Sequence, residues 1–253
     1  MKATLYMSLM VTCVVGTVAC GDDDDSSTRD TAASETIAPT TTAATATTVA
    51  ATDPPAGDVL FSDTFDDDRN LWGEVDGEFG TAKFEGGDYV WAFTGSVSHW
   101  LPGVIGEQYD SGELEMLDVT VQADVTIDGG DGVVGVFCRE TPDTDAEWQW
   151  YEFVARDGYA AIRVGDLEAN LDVLAETDDV TLPPGEPFSI AGSCVNDADG
   201  NTQLTMSIND EQVLDASHDD PLDNGVVGLQ VYTFPIHEQM DVRWHDFSVT
   251  TAS

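Results

Sequence analysis

The chain has 253 residues, 49 acidic against 8 basic, for a net charge of −41 at pH 7. A surface that negative repels phosphate backbones and anionic headgroups, which excludes nucleic acid as a partner and excludes charge-driven attachment to a lipid surface. The acids are spread along the chain rather than gathered in one tail, a distribution suited to staying hydrated in high salt and equally to an ordinary acidic exported protein.

Residues 1–19 read as a lipoprotein signal peptide. Lys2 supplies the positive end, Leu5 to Val15 an apolar core too short to span a bilayer, and Thr17-Val18-Ala19 the small-residue exit directly before Cys20-Gly21. The expectation is export, lipidation of Cys20, and anchoring to the outer face of the bacterial cell membrane, with the membrane touched only through that lipid. Thr17 stands where lipoprotein signals usually carry Leu, so simple cleavage after Ala19 and secretion is the alternative. Removal of Lys2 leaves 7 basic against 49 acidic residues, a net of −42.

Residues 20–57 read as the lipidated Cys followed by a disordered Thr/Ala-rich linker. After Asp22 to Asp25 the composition is Thr and Ala with scattered Ser and Pro, and no aromatic or periodic apolar pattern supports a core. At the flexibility of a Gly/Ser chain such a tether reaches about 35 Å.

Residues 58–253 alternate apolar and polar, with Gly, Asp, Asn or Pro every eight to twelve positions, and no segment keeps a helical period for three turns. That predicts an all-β domain. The strand-like runs are Val59–Phe61, Asp88–Phe93, Asp118–Ile127, Val133–Arg139, Gln149–Ala155, Tyr159–Val164, Phe188–Val195, Gln203–Ile208, Val226–Thr233 and Asp241–Thr250. Asp157-Gly158 and Asn209-Asp210 fall between such runs and read as hairpin turns. So many strands in this length favour one two-sheet sandwich over two small domains.

Of the four cysteines, Cys13 leaves with the signal and Cys20 is the lipidation site, so the domain keeps Cys138 and Cys194. Two thiols in an oxidising compartment suggest one bridge. Both share strand parity with apolar neighbours, as a buried bridge requires. It would close a loop of more than fifty residues, valued at about 4 kcal/mol by the chain-entropy model. His99, His218, His237 and His245 show no metal-ligand spacing, and no nucleophile elbow, phosphate-binding glycine loop or zinc signature is present.

The order Leu60-Phe61-Ser62-Asp63-Thr64-Phe65, Gly135-Val136-Phe137-Cys138-Arg139, Tyr151-Glu152-Phe153-Val154 and Asp157-Gly158-Tyr159 is followed by Ser207-Ile208-Asn209, Gly225-Val226-Val227-Gly228-Leu229 and His245-Asp246-Phe247-Ser248-Val249. Together these motifs resemble the concanavalin A-like jelly rolls of bacterial surface lipoproteins and sensor proteins, related to laminin-G-like and glucanase sandwiches. The resemblance spans nearly all of residues 58–253. It implies two curved antiparallel sheets, a concave face that often holds carbohydrate, and in some members a structural calcium, for which Asp63 and Asp246 on the terminal strands are the candidate ligands.

Strand alternation sorts side chains onto two faces. Tyr151, Phe153 and Ala155, with Val134, Val136 and Cys138, Phe188, Ile190 and Cys194, and Leu229 and Val231, form the set expected in the core. The opposite set holds Phe137, Arg139, Trp148, Trp150, Glu152, Gln230 and Tyr232. Flat aromatic rings stack on the apolar face of a pyranose while Arg, Glu and Gln bond its hydroxyls, which makes this set the candidate ligand-binding face. The competing readings are that a loop covers these aromatics, that a bulge shifts parity and sends some to the core, or that Arg139 and Glu152 simply pair across adjacent strands.

Catalysis has weaker support. Glu113-Leu114-Glu115-Met116-Leu117-Asp118 superficially resembles the acidic run of related glucanases, but its second and third acids are exchanged relative to that pattern, and it precedes the strand that should carry it. On the strand with the better context, Glu152 is flanked at two residues by Trp150 and Val154, so no second carboxylate lies beside it on the same strand face. The reading is a surface-tethered, non-catalytic carbohydrate-binding module whose partner is a glycan or cell-envelope polysaccharide, with no cofactor beyond the calcium that the resemblance implies. A glycan-active hydrolase or lyase is one alternative, and a protein-interaction or structural module of the envelope is another.

Overall fold

The computed structural model describes residues 57–67, 72–77, 80–94, 98–102, 116–140, 149–166, 171–233 and 239–252. Cys20, the linker, Trp148 and the acids Glu113 and Glu115 lie outside them. Within them the chain forms strands and no helix: β1 (Val59–Asp63), β2 (Val75–Gly77), β3 (Gly80–Glu85), β4 (Asp88–Thr94), β5 (Ser98–Pro102), β6 (Val119–Gly129), β7 (Gly132–Glu140), β8 (Gln149–Arg156), β9 (Tyr159–Asp166), β10 (Leu171–Thr177), β11 (Phe188–Asn196), β12 (Thr202–Ile208), β13 (Glu211–His218), β14 (Val226–Thr233) and β15 (Gln239–Thr251).

Two antiparallel sheets face one another. The nine-stranded sheet runs β13-β12-β11-β6-β15-β4-β3-β2, with β1 pairing the second half of β15 while β4 pairs the first. The six-stranded sheet runs β10-β9-β8-β7-β14-β5. Runs of consecutive strands in both orders are joined by pairings between distant parts of the sequence, β11 with β6, β6 with β15, β15 with β4, and β14 with β7 and β5, the arrangement of a jelly roll rather than of a simple chain of hairpins.

Alternation places the core. Val121, Ala123, Val125, Ile190, Cys194, Leu204, Met206, Val242, Trp244 and Val249 of one sheet meet Val134, Val136, Cys138, Tyr151, Phe153, Ile162, Leu229 and Val231 of the other, nearly all with no exposed surface. Each large apolar side chain so buried contributes about 1.5–3 kcal/mol. Gly192 has no side chain because the Phe153 ring from the opposite sheet occupies the space a Cβ would need. Cys138 of β7 and Cys194 of β11 are joined by a disulfide across the sheets, 56 residues apart in sequence. The Asn209-Asp210 turn joins β12 to β13 with both residues at positive φ, 52° and 64°, as a two-residue hairpin loop demands.

An aromatic cluster fills the end of the core beneath β1, β4 and β15. Trp72 packs edge-on against Phe65 and Phe247, and its Nε1–H donates to Asp63 Oδ2 at 2.6 Å. The Tyr89 hydroxyl donates to the Gly73 carbonyl at 2.6 Å, and burial pushes its pKa above the ordinary phenol value.

The runs read from sequence all fall on strands, and β2, β3, β5, β10 and β13 add to them. Four of these five strands, β2, β5, β10 and β13, stand at a sheet edge, where one flank has no partner; β2 is only three residues long, and β10 and β13 carry half-buried and exposed residues instead of a clean alternation.

Candidate functional site

The outer face of the six-stranded sheet carries a polar network enclosed by aromatic rings. The register sets Phe137, Glu152, Arg163 and Val173 in one row across β7, β8, β9 and β10. The adjacent row is Gln230, Gly135, Val154 and Ala161, so Gln230 stands diagonally from Glu152 although 78 residues separate them in sequence.

Glu152 is the centre of the network and has no exposed surface. Its Oε2 accepts from Tyr232 Oη at 2.7 Å, from Trp150 Nε1 at 3.1 Å and from Gln230 Nε2 at 3.1 Å. Its Oε1 accepts from Arg163 Nη1 at 3.0 Å. Three donors converge on Oε2 and one on Oε1, so hydrogen bonds hold the carboxylate at both oxygens. Arg163 also donates from Nη2 to the Tyr159 hydroxyl at 3.2 Å, and that hydroxyl donates to Glu176 Oε2 at 3.3 Å. Desolvation works against the charge on Arg163, but the Tyr159 hydroxyl and Glu152 more than offset it, and the guanidinium is held above its ordinary pKa.

The rings fit around this hub. Trp150 lies over the bare backbone of Gly165, where any Cβ would run into the indole, and packs with Phe137 and Val226. Tyr232 and Tyr159 are half-buried and pack on Val133, Val154 and Ala161. Arg156 and Arg163 both sit over the Tyr159 ring, 5.6 and 5.7 Å from its centroid.

Five of the seven residues assigned to this face by alternation therefore come together: Phe137, Trp150, Glu152, Gln230 and Tyr232. Trp148 lies outside the described residues. Arg139 is a correction. A bulge in β7 sets two residues, Cys138 and Arg139, against one on β14, and Arg139 adopts φ 53°. Its side chain is thereby turned inward, with no exposed surface, and donates to Leu117 O, Leu222 O, Asn196 Oδ1, Thr202 Oγ1 and Asp118 Oδ1 at 2.8–3.4 Å. Arg139 does not pair with Glu152; Arg163 does.

The same bulge brings Glu140 to the outer face. Glu140 is 2% exposed and is the register partner of Val226, which packs with Phe137 and Trp150. Antiparallel partners share a face, so Glu140 stands diagonally from Glu152, at the diagonal-neighbour spacing of about 7–8 Å. Strict alternation assigns Glu140 to the core with Val136 and Cys138, and only the adjacent charges Arg139-Glu140, ending an apolar strand, signal the break. Arg163 and Tyr159 were also missed, although the alternation of Tyr159, Ala161, Arg163 and Gly165 along β9 carries both.

The calcium implied by resemblance does not fit the residues present. Asp63 is 3% exposed, and its two carboxylate oxygens accept from Phe65 N–H and Trp72 Nε1. Asp246 is exposed, and its carboxyl is pushed upward by desolvation and then by the charge of Asp124. Among the described residues no group of three or more His, Cys, Asp or Glu is arranged to hold a metal ion.

No protein-family model and no curated protein sequence matches the chain. Solved structures do. A Bacillus subtilis protein of unknown function with a galectin-like fold superposes at TM-score 0.57 with 13% identity, covering 78% of this chain and 97% of that one. A prokaryotic β-1,3-1,4-glucanase (lichenase) derived from a mouse hindgut metagenome gives 0.53 and 12%, covering 76% and 98%. A non-specific endo-β-1,3(4)-glucanase of family GH16 gives 0.52 and 10%, covering 80% and 94%. At such identities the likeness is one of fold: the domain is a concanavalin A-like jelly roll.

Proposed function

We propose that the protein is an exported, lipid-anchored carbohydrate-binding module whose glycan site is the outer face of the six-stranded sheet. The observation that carries this reading is the burial of Glu152 at the centre of a four-donor network. With no exposed surface, and with its two oxygens held by Trp150, Gln230, Tyr232 and Arg163, Glu152 offers no open approach to a glycosidic bond. Its role is to hold four donors, two of them aromatic, in one arrangement, which is what orientation of a sugar requires. The half-buried Tyr159 and Tyr232 supply the stacking surfaces. The occurrence of glucanases among proteins of the same fold supports a sugar as the ligand class. The test is a glycan array on the protein, followed by chromatography of each hit after long incubation: binding without new products is expected, and release of shortened oligosaccharides overturns the non-catalytic reading.

One observation favours hydrolysis as a second reading. Glu140 and Glu152 share a face, so Glu140 supplies the second carboxylate that β8 lacks beside Glu152. Under that reading the released products disappear in Glu140→Gln.

A further inference from the structure

At one end of the sandwich the turn from β6 to β7, the turn from β8 to β9 and the segment leading into β11 enclose a cleft of about 320 Å³, at the lower end of the roughly 300–1,000 Å³ of small-molecule sites. Its walls are held in place by the backbone. Asp157 Oδ1 accepts from Leu182 N–H at 3.1 Å and Gly158 N–H donates to Val180 O at 2.9 Å, which ties the β8–β9 turn to the approach of β11. Gly130, at φ 91°, lies so close to the backbone of Gln239 and Met240 that a Cβ has no room there, which seats the β6–β7 turn against the start of β15. Leu182, Pro183 and Pro184 contribute an apolar lining, and Asp131 and Arg156 a polar one. Arg156 is exposed, and its ion-pair partner among the described residues is Asp131 at 3.9 Å, beyond hydrogen-bond reach. The same guanidinium lies 5.6 Å from the centroid of the Tyr159 ring on the outer face of the six-stranded sheet, so Arg156 borders both the cleft and the candidate site.

We propose that the cleft is a further subsite of the glycan site, taking one pyranose residue of a chain that lies over Tyr159 and continues past Arg156 to the end of the sandwich. The inference rests on the glycan-binding reading above and adds to it the course of the chain and the residues that hold its next sugar. A pyranose has an apolar ring face and a rim of hydroxyls, each of which both donates and accepts. Leu182, Pro183 and Pro184 suit the ring face. Asp131 accepts from one hydroxyl while Arg156 donates to its neighbour, so the sugar bridges a pair that stands too far apart to bond directly. Because backbone contacts already fix the walls, ordering the Arg156 side chain is the main conformational cost of filling the cleft.

The experiment is isothermal titration of the full chain with β-linked glucose oligomers of two to six residues, and with the tightest glycan-array hit prepared as the same length series. Affinity is expected to rise severalfold from the shortest to the longest oligomer as the cleft fills. Two variants at exposed positions test the lining: Asp131→Ala removes the acceptor, and Pro184→Trp fills the cleft with an indole. Each is expected to bring the longest oligomer down to the affinity of the shortest and to leave the shortest unchanged, whereas Tyr232→Ala weakens every length alike. Affinity independent of length in the wild type, or length dependence retained by both variants, overturns the subsite while leaving binding on the face standing. A loss equal at every length in both variants overturns it too, because the substitutions then act on the face and not on the cleft. Silence across both series and across the array overturns the glycan reading itself, and the subsite with it.

Discussion

Glu152 and Arg163 decide what the outer face can do. A buried carboxylate is costly to desolvate, and here the cost is offset by the Arg163 guanidinium of the neighbouring strand, by Trp150 of the same strand, and by Gln230 and Tyr232 of β14, distant in sequence. Arg163→Met keeps the volume and removes the charge, leaving Glu152 buried and uncompensated. Urea denaturation of that variant should show a loss of about 3–5 kcal/mol, the scale for breaking one side of a buried pair, and a loss below about 1 kcal/mol would show that the pair is not buried as described. Alternation was enough to read Glu152 together with Trp150, Gln230 and Tyr232 on one face. It did not supply the cation, because the choice between Arg139 and Arg163 depends on register and on a bulge, and neither is written in the local pattern of β7.

At the scale of elements, most interior strands were legible and most edges were not. A strand such as β11 packs one face on the core and shows it as alternating burial, whereas β10 at the end of the six-stranded sheet shows Val173 exposed and charges at Asp172 and Glu176. The Arg139 bulge is an element-level irregularity with consequences for the site, since it withdraws an arginine and presents Glu140. The Cys138–Cys194 link joins β7 to β11 across the core, four strands apart in chain order, and pins the sheet that carries the site to the other. Replacing both cysteines by alanine should lower stability by about 2–5 kcal/mol, and thiol labelling of the unreduced, denatured protein should find neither sulfur. Two labelled thiols, or an unchanged denaturation midpoint, would refute the bridge.

For the whole molecule, charge sets the context in which the face works. The net charge of −41 disfavours contact with anionic surfaces; under the anchoring proposed above, attachment comes through Cys20, on a linker expected to reach about 35 Å. In the native host Cys20→Ala should move the protein from the membrane fraction to the medium, and equal membrane retention would contradict anchoring by lipid. The jelly roll was readable because the order of several weak motifs spans nearly the whole domain; the sugar is not readable, because proteins of this fold at 10–13% identity share a backbone and not a site. The central claim, that the outer face of the six-stranded sheet is a glycan site, is tested most directly by titrating the best array hit into the wild type, Tyr159→Ala and Tyr232→Ala. Each variant should lose about 1–3 kcal/mol of binding free energy, the scale for truncating a buried aromatic contact, and unchanged affinity in both would show that the ligand sits elsewhere on the molecule.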